Sequence, residues 1–134
     1  MDKIAVSIIQ PNKTKVMGEF AHVIIPGVEG DFGIAPEHTP MITKIRPGLL
    51  YLYHDKKKAE KYAIHDGFVT VENNGVSIVC DVIEREDEID IERAKRAKER
   101  AEKRMQSDKE DIDFRRADSA LKRALTRISV RTAE

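Results

Sequence analysis

Val76-Ser77-Ile78-Val79-Cys80-Asp81-Val82-Ile83-Glu84-Arg85-Glu86-Asp87-Glu88-Ile89-Asp90-Ile91-Glu92-Arg93-Ala94-Lys95-Arg96-Ala97 carries the decision about the fold. Up to Val82 it is a short β-branched run of the kind that forms a strand. From Asp90 onward, Ile91, Ala94, Ala101 and Met105 recur at helical spacing among charged residues. Asp90 can cap the free N–H groups of the next turn, and Ile89 and Ala94 are placed for a hydrophobic staple around it. Near residue 85 one architecture gives way to another.

Composition divides at the same point. Residues 1–84 hold 9 basic and 11 acidic groups, residues 85–134 hold 15 and 13, and the charged fraction rises from 20 of 84 to 28 of 50. All five prolines lie at or before Pro47 and all seven glycines at or before Gly75, so the second part contains no helix breaker. Over the 134 residues, 24 Lys plus Arg balance 24 Asp plus Glu. That zero argues against a polycation that coats nucleic acid and against an acidic disordered tail. Any electrostatic function is local.

Before residue 85, short apolar runs alternate with turn signals: Ile4 to Ile9, Lys15 to Ile25, Met41 to Ile45, Leu49 to Tyr53, Lys61 to Ile64, Phe68 to Glu72 and Val76 to Val82. Strands so punctuated predict a two-sheet sandwich. Asn73-Asn74-Gly75 is the clearest hairpin, because Asn-Gly tolerates the positive φ angles of a type I′ turn. The breaker-rich stretch from Ile25 to Pro40 reads as a turn-rich corner or an exposed docking loop. Its glycines, Gly27, Gly30 and Gly33, fit neither a dinucleotide fingerprint nor a P-loop, and Glu29 and Asp31 would repel a phosphate.

The remaining signals exclude more than they assign. Cys80 has no partner for an intramolecular disulfide and reads as a small core side chain in a reducing compartment. No run approaches the roughly 18 apolar residues of a membrane span, and the N-terminus lacks a signal-peptide core. His22, His38, His54 and His65 show no metal-ligand spacing, and no nucleophile, zinc or phosphate-loop motif is present. The expectation is a chain that is not an enzyme by itself. The tyrosines and phenylalanines are mostly placed as core, which leaves no stacking platform for RNA.

After residue 85 the pattern predicts an antiparallel hairpin of two helices, too small to stand without a partner surface or ligand. The second helix carries Phe114, Ala117, Leu121, Ala124 and Ile128, and Ser107 with Glu110 fits a capping box at its start. One flank of the apolar seam presents Arg93, Ala97, Arg100 and Arg104 on the first helix, and Arg116, Ala120, Arg123 and Arg127 on the second. It contains no carboxylate. The opposite flank is mixed: Glu92, Lys95, Glu99 and Glu102, then Arg115, Asp118, Lys122 and Leu125. In an antiparallel pair the two arginine flanks fall on one side, with Arg93 level with about residue 124 and Arg100 about 10 Å along the helix. Guanidiniums gathered at this range repel unless screened. Three readings fit: a compact phosphorylated ligand, a docking face for an acidic protein, or plain solubility.

Taken together, a β-sandwich followed by a charged Ala-rich hairpin, with Gly27-x-x-Gly30-x-x-Gly33-Ile34, His38-x-Pro40 and Pro47-Gly48, resembles the epsilon subunit of bacterial F-type ATP synthase over essentially the whole chain. The resemblance implies an α+β protein, with residues 1–84 a sandwich on the central stalk and residues 85–134 a regulatory hairpin. It puts Glu29 and Asp31 at the c-ring contact and His38 near the gamma subunit. Ile89-Asp90-Ile91-Glu92-Arg93-Ala94 matches the ATP-binding sequence of some bacterial members, and the same likeness carries Glu84, Arg100, Arg123 and Arg127 into that site.

The implied function is a rotor subunit that couples the stalk to the c-ring. Its helices clasp ATP when folded, and when extended they inhibit hydrolysis by pairing Arg115, Arg116, Lys122 and Arg123 with the catalytic beta subunit, and possibly alpha. Its place is the cytoplasmic face of the bacterial plasma membrane. ATP is the only small ligand implied, with no metal site, no covalent cofactor and no nucleic acid; Mg²⁺ dependence and the coupling ion stay open. The alternative is a purely structural coupling subunit without nucleotide sensing.

Overall fold

In the computed structural model the described residues are 3–37, 40–55, 59–73, 75–107 and 111–132. Eight strands come first: β1 (Ile4–Gln10), β2 (Lys13–Phe20), β3 (His22–Gly27), β4 (Gly30–Ile34), β5 (Met41–Ile45), β6 (Gly48–Tyr53), β7 (Ala59–Glu72) and β8 (Gly75–Arg85). A single 3₁₀ turn, Glu86–Glu88, leads into helices α1 (Ile91–Ser107) and α2 (Asp111–Thr132). The chain divides into two compact units, Met1–Arg85 and Glu86–Glu134. The expected sandwich-then-hairpin order is therefore observed.

Alternation builds the sandwich. Along β1 the side chains of Ile4, Val6 and Ile8 are buried while Ala5 and Ile9 are exposed, and β8 buries Val76, Ile78 and Cys80 in the same manner. These join Val23, Ile25, Ile45, Leu50, Leu52, Tyr62, Ile64, Val69 and Val71 in one core. Hydrogen bonding follows the order β2-β1-β8-β7-β5-β3-β4, with β6 bridging β3 and β7. Among the described residues only β1 and β8 run parallel; the other pairs are antiparallel.

Four expectations need correction. The run Lys15 to Ile25 is two strands, because Phe20 pairs with Ile4 whereas His22 pairs with Tyr53. The chain changes neighbours at Ala21, whose N–H donates to the Tyr53 carbonyl at 2.7 Å. The glycine-rich corner contains a strand of its own, since Gly30–Ile34 pairs with β3 from Val23 to Gly27. Lys61–Ile64 and Phe68–Glu72 are parts of one strand, β7, held continuous by β8 along its other edge.

The polar signal that separated them, His65-Asp66-Gly67, marks a change of neighbour rather than a turn. Residues 59–64 pair with β6 and residues 67–71 with β5. Asp66 has φ 43, and a Cβ on Gly67 would stand 2.3 Å from the Val79 carbonyl oxygen. Only glycine permits that approach. Across this point the core-facing positions shift from Tyr62 and Ile64 to Val69 and Val71, so one strand serves both layers.

The fourth correction concerns aromatic placement. Phe20 and Tyr62 are in the core, but Phe68 and Phe114 are 57% and 44% exposed. At the β7–β8 turn, Glu72 pairs with Gly75 and Asn73 has the positive φ of 27; Asn74 lies outside the described residues.

In the second unit α1 and α2 pack on each other, three residues apart in sequence and hence antiparallel. Ala94, Ala101, Ala117 and Ala124 form the most deeply buried positions, with Ile91, Met105, Leu121 and Ile128 half-buried. Small side chains let the helix backbones approach closely. Phe114 is not part of this seam; Val130 and Thr126 are buried instead, the Thr126 hydroxyl donating to the Lys122 carbonyl at 2.8 Å. The capping box of Ser107 and Glu110 lies outside the described side chains.

Candidate functional site

The motif Ile89–Ala94 opens α1. The Arg93 N–H donates to Asp90 Oδ1 at 3.1 Å and the Ala94 N–H to the Asp90 carbonyl at 3.0 Å, so Asp90 is the helix N-cap. Ile89 and Ala94, the two ends of the expected staple, are 6% and 3% exposed. The local sequence thus sets where α1 starts and which way its first turn faces.

Arg93, Arg100, Arg116 and Arg123 each stand one residue before a buried seam alanine, Ala94, Ala101, Ala117 and Ala124. In an antiparallel pair that common offset puts them on one flank. Arg127, three residues after Ala124, belongs to the same flank. Arg93 and Arg100 are exposed, whereas Arg123 and Arg127 are half-buried.

The opposite flank pairs its charges: Lys95 with Glu92 at 4.0 Å and Lys122 with Asp118 at 3.1 Å. None of the described residues forms an ion pair with Arg93, Arg100 or Arg123. Arg93, Arg100 and Arg123 therefore keep positive charge available for an external anion, and guanidinium donors suit phosphate oxygens in bidentate geometry.

Glu84, the remaining residue expected at this site, belongs to the first unit. It pairs across the strands with Ala63, is partly buried, and lies 3.8 Å from His65 Nε2.

Of the expected docking residues, Glu29 sits in the two-residue turn between β3 and β4, and Asp31 is the second residue of β4, both exposed. Asp31 is ion-paired with Arg46, and the loop is tied to the end of β5 by Val28 N–H to Lys44 carbonyl and Arg46 N–H to Pro26 carbonyl, both at 3.0 Å. Around it lies a depression of about 250 Å³ lined by Gly27, Glu29, Asp31, Phe32, Met41 and Thr43. His38 lies outside the described residues.

An apolar surface escaped the sequence reading. Ile9, Val79 and Phe68 are cross-strand neighbours on β1, β8 and β7, and Ile42 on β5 is diagonal to Phe68; they are 39%, 54%, 57% and 74% exposed. A groove of about 570 Å³ adjoins them on the same face, lined by small residues including Ala5, Ser7, Gly75 and Ser77. Its signal in the sequence is the apolar doublet: Ile8-Ile9, Met41-Ile42, Phe68-Val69 and Ile78-Val79 each supply an outward hydrophobe where alternation calls for a polar residue. Exposed apolar strips of this kind mark interaction sites.

Other polar groups are locally engaged. His22 stacks on Tyr53 with ring centres 4.1 Å apart, and His54 pairs with Glu60. Burial, reinforced by the charge of Asp81, pushes the Cys80 thiol up to about 11, which makes it a poor nucleophile. Among the described residues no cluster of His, Cys, Asp and Glu could hold a metal ion, and no helix is long and apolar enough to cross a membrane.

Comparison with known proteins agrees across both units. Residues 3–86 match the family model of the ATP synthase delta/epsilon chain β-sandwich domain, and residues 87–131 that of its long α-helix domain. An ATP synthase epsilon chain of Desulforamulus reducens is 41% identical over 90% of this chain and 91% of its own length. One from Moorella thermoacetica is 37% identical over 96% of each. The fold is also that of a chain in the Euglena gracilis mitochondrial ATP synthase OSCP/F1/c-ring structure, with TM-score 0.82 and 23% identity, covering 91% of this chain and 77% of that one. A chain of the Tetrahymena thermophila central stalk and c-ring structure aligns with TM-score 0.61 and 15% identity over 96% of each.

Proposed function

Because the chain belongs to the ATP synthase delta/epsilon family, as a non-catalytic subunit of the epsilon kind, we propose that it is a rotor element whose helical hairpin senses ATP. The observation that carries the sensing role is the sorting of charge by helix face. Carboxylates and lysines pair on one flank, while Arg93, Arg100 and Arg123 on the other find no carboxylate among the described residues.

A polyphosphate offsets that repulsion. Arg93, Arg100, Arg123 and Arg127 would take the phosphates, with Ile89, Asp90, Ala94 and Glu84 serving the base and ribose. A ligand shifts a conformational equilibrium only as far as it binds one state better, and only a closed hairpin gathers all four arginines. With ATP scarce, the hairpin extends along gamma. Arg115, Arg116, Lys122 and Arg123 then pair with acidic groups of the catalytic beta subunit and oppose rotation in the hydrolytic direction. The sandwich holds the subunit in place, through the Glu29–Asp31 turn toward the c-ring and the Ile9–Val79–Phe68–Ile42 strip toward gamma. The assembly then sits at the cytoplasmic face of the bacterial membrane.

Calorimetric titration of the whole chain with ATP, with and without Mg²⁺, tests the reading against the Arg93→Ala variant. Heat in the wild type that falls at least tenfold in affinity in the variant supports it, since charge-assisted hydrogen bonds are worth about 1.5–3 kcal/mol each. A second reading, a purely structural coupling subunit, draws on the use of Asp90 as an N-cap, which needs no nucleotide. Absence of heat favours that reading. Truncation after Asp87 in the assembled enzyme then tests inhibition: unchanged ATP hydrolysis removes it.

A further inference from the structure

One residue grips both sides of the β3–β4 hairpin. The Arg46 N–H donates to the Pro26 carbonyl on β3 at 3.0 Å, and its guanidinium pairs with Asp31, the residue opposite Pro26 on β4. The guanidinium lies over Gly48, where a Cβ would stand 2.8 Å from Arg46 Nη1 and 2.6 Å from Pro26 Cβ. Only a residue without a side chain leaves that path open.

This grip divides the charge of the turn unequally. Asp31 is offset by Arg46, whereas none of the described residues forms an ion pair with Glu29. Both carboxylates border the depression of about 250 Å³, Phe32 and Met41 supply its apolar wall, and no Lys or Arg among the described residues lines it. Pockets for small molecules run from about 300 to 1,000 Å³, so this one suits a single side chain. An apolar wall under an acidic rim matches a long cationic side chain, whose stem packs while its head reaches a carboxylate.

We propose that this corner is a socket for one lysine or arginine side chain of a partner loop, with Glu29 meeting the cation and Arg46 acting as a positioning residue. It deepens, and rests on, the reading of this turn as the face toward the c-ring. Asp31 then serves docking through Arg46 rather than by touching the partner. The single uncompensated charge at the rim is that of Glu29, which suits one cation.

The test uses the assembled enzyme with photoreactive benzoylphenylalanine placed at Val28, the exposed residue beside Glu29. The crosslinked peptide should come from the c-ring and contain Lys or Arg. Rebinding of the full chain to enzyme depleted of it should weaken about three- to fivefold in Glu29→Gln and at least about tenfold in Glu29→Lys, with reversal of the partner's cation to Glu restoring the latter. Arg46→Gln and Asp31→Asn should weaken rebinding equally, the double variant no more than either, and the exchange of Arg46→Asp with Asp31→Arg should restore it.

A c-ring peptide without Lys or Arg, or wild-type rebinding of Glu29→Lys, overturns the socket and leaves the c-ring reading standing. A cation-bearing peptide from another subunit keeps the socket and removes the c-ring reading. No crosslink to any chain removes both. Weakening by Asp31→Asn without weakening by Arg46→Gln makes Asp31 a direct contact and overturns the positioning role of Arg46.

Discussion

The side chain of Asp90 accepts the backbone N–H of Arg93 at 3.1 Å, so the first acidic and the first basic residue of Ile89–Ala94 are joined through the helix start. The carboxylate orients the first turn, and that turn carries Arg93 to the flank it shares with Arg100. The capping role of Asp90 and the ligand role proposed for it therefore fall on one residue and can be separated by substitution.

Asp90→Ala should destabilise the hairpin by about 1 kcal/mol, the ordinary value of an N-cap, whereas Asp90→Asn or Asp90→Ser should stay within a few tenths of wild type. Helical ellipticity at 222 nm during thermal unfolding reports this. If Asp90→Asn keeps the helix but loses ATP binding, the carboxylate charge belongs to the ligand site; equal binding confines Asp90 to capping.

Gly67→Ala should cost about 2–4 kcal/mol in urea unfolding, because its Cβ would stand 2.3 Å from the Val79 carbonyl, a backbone atom that cannot swing aside. Asp66→Gly should be neutral or stabilising by up to about 1 kcal/mol, since φ 43 strains any residue with a Cβ. A harmless Gly67→Ala would show that β7 is not held against β8 at that point.

Phe68→Ser and Val79→Thr remove exposed side chains and should change the stability of the isolated chain by no more than about 0.5 kcal/mol. The same variants should weaken association with the rest of the ATP synthase, read as subunit retention in co-purification of the assembled enzyme. Full retention of a Phe68→Ser, Ile42→Ser double variant would place the interface elsewhere.

Cys80 supplies a pH dependence. Its folded-state thiol is raised to about 11 from the ordinary 9.0, so between those values the native chain holds a proton that the unfolded chain has lost. Stability contributed by the neutral thiol is fully present below about pH 9 and declines as pH rises towards 11. Unfolding midpoints in urea should fall across that window, and less so in Cys80→Val. Thiol reagents should react only on unfolding.

Much of this protein was legible in its sequence because the relevant signals are local. Apolar alternation in Ile4–Ile8 and Val76–Cys80 defines strands, the Asp90 side chain marks the start of a helix, and the absence of Gly and Pro after Gly75 allows two long helices. The sorting of arginines onto one flank is likewise periodicity alone, since angular position on a helix follows from residue number.

What only the tertiary structure decided depends on neighbours distant in the chain. His65-Asp66-Gly67 reads as a break, yet β8 holds the strand continuous while β6 and β5 take turns on its other edge. The glycines of Gly30–Ile34 look like turn residues until pairing with β3 makes them a strand. Phe68 and Ile42 become a surface strip, and His65 a buried imidazole beside Glu84, only once the strands are placed side by side. Backbone period assigns each residue a face, but whether that face meets core, solvent or a partner is set by packing between elements, and no local pattern encodes it.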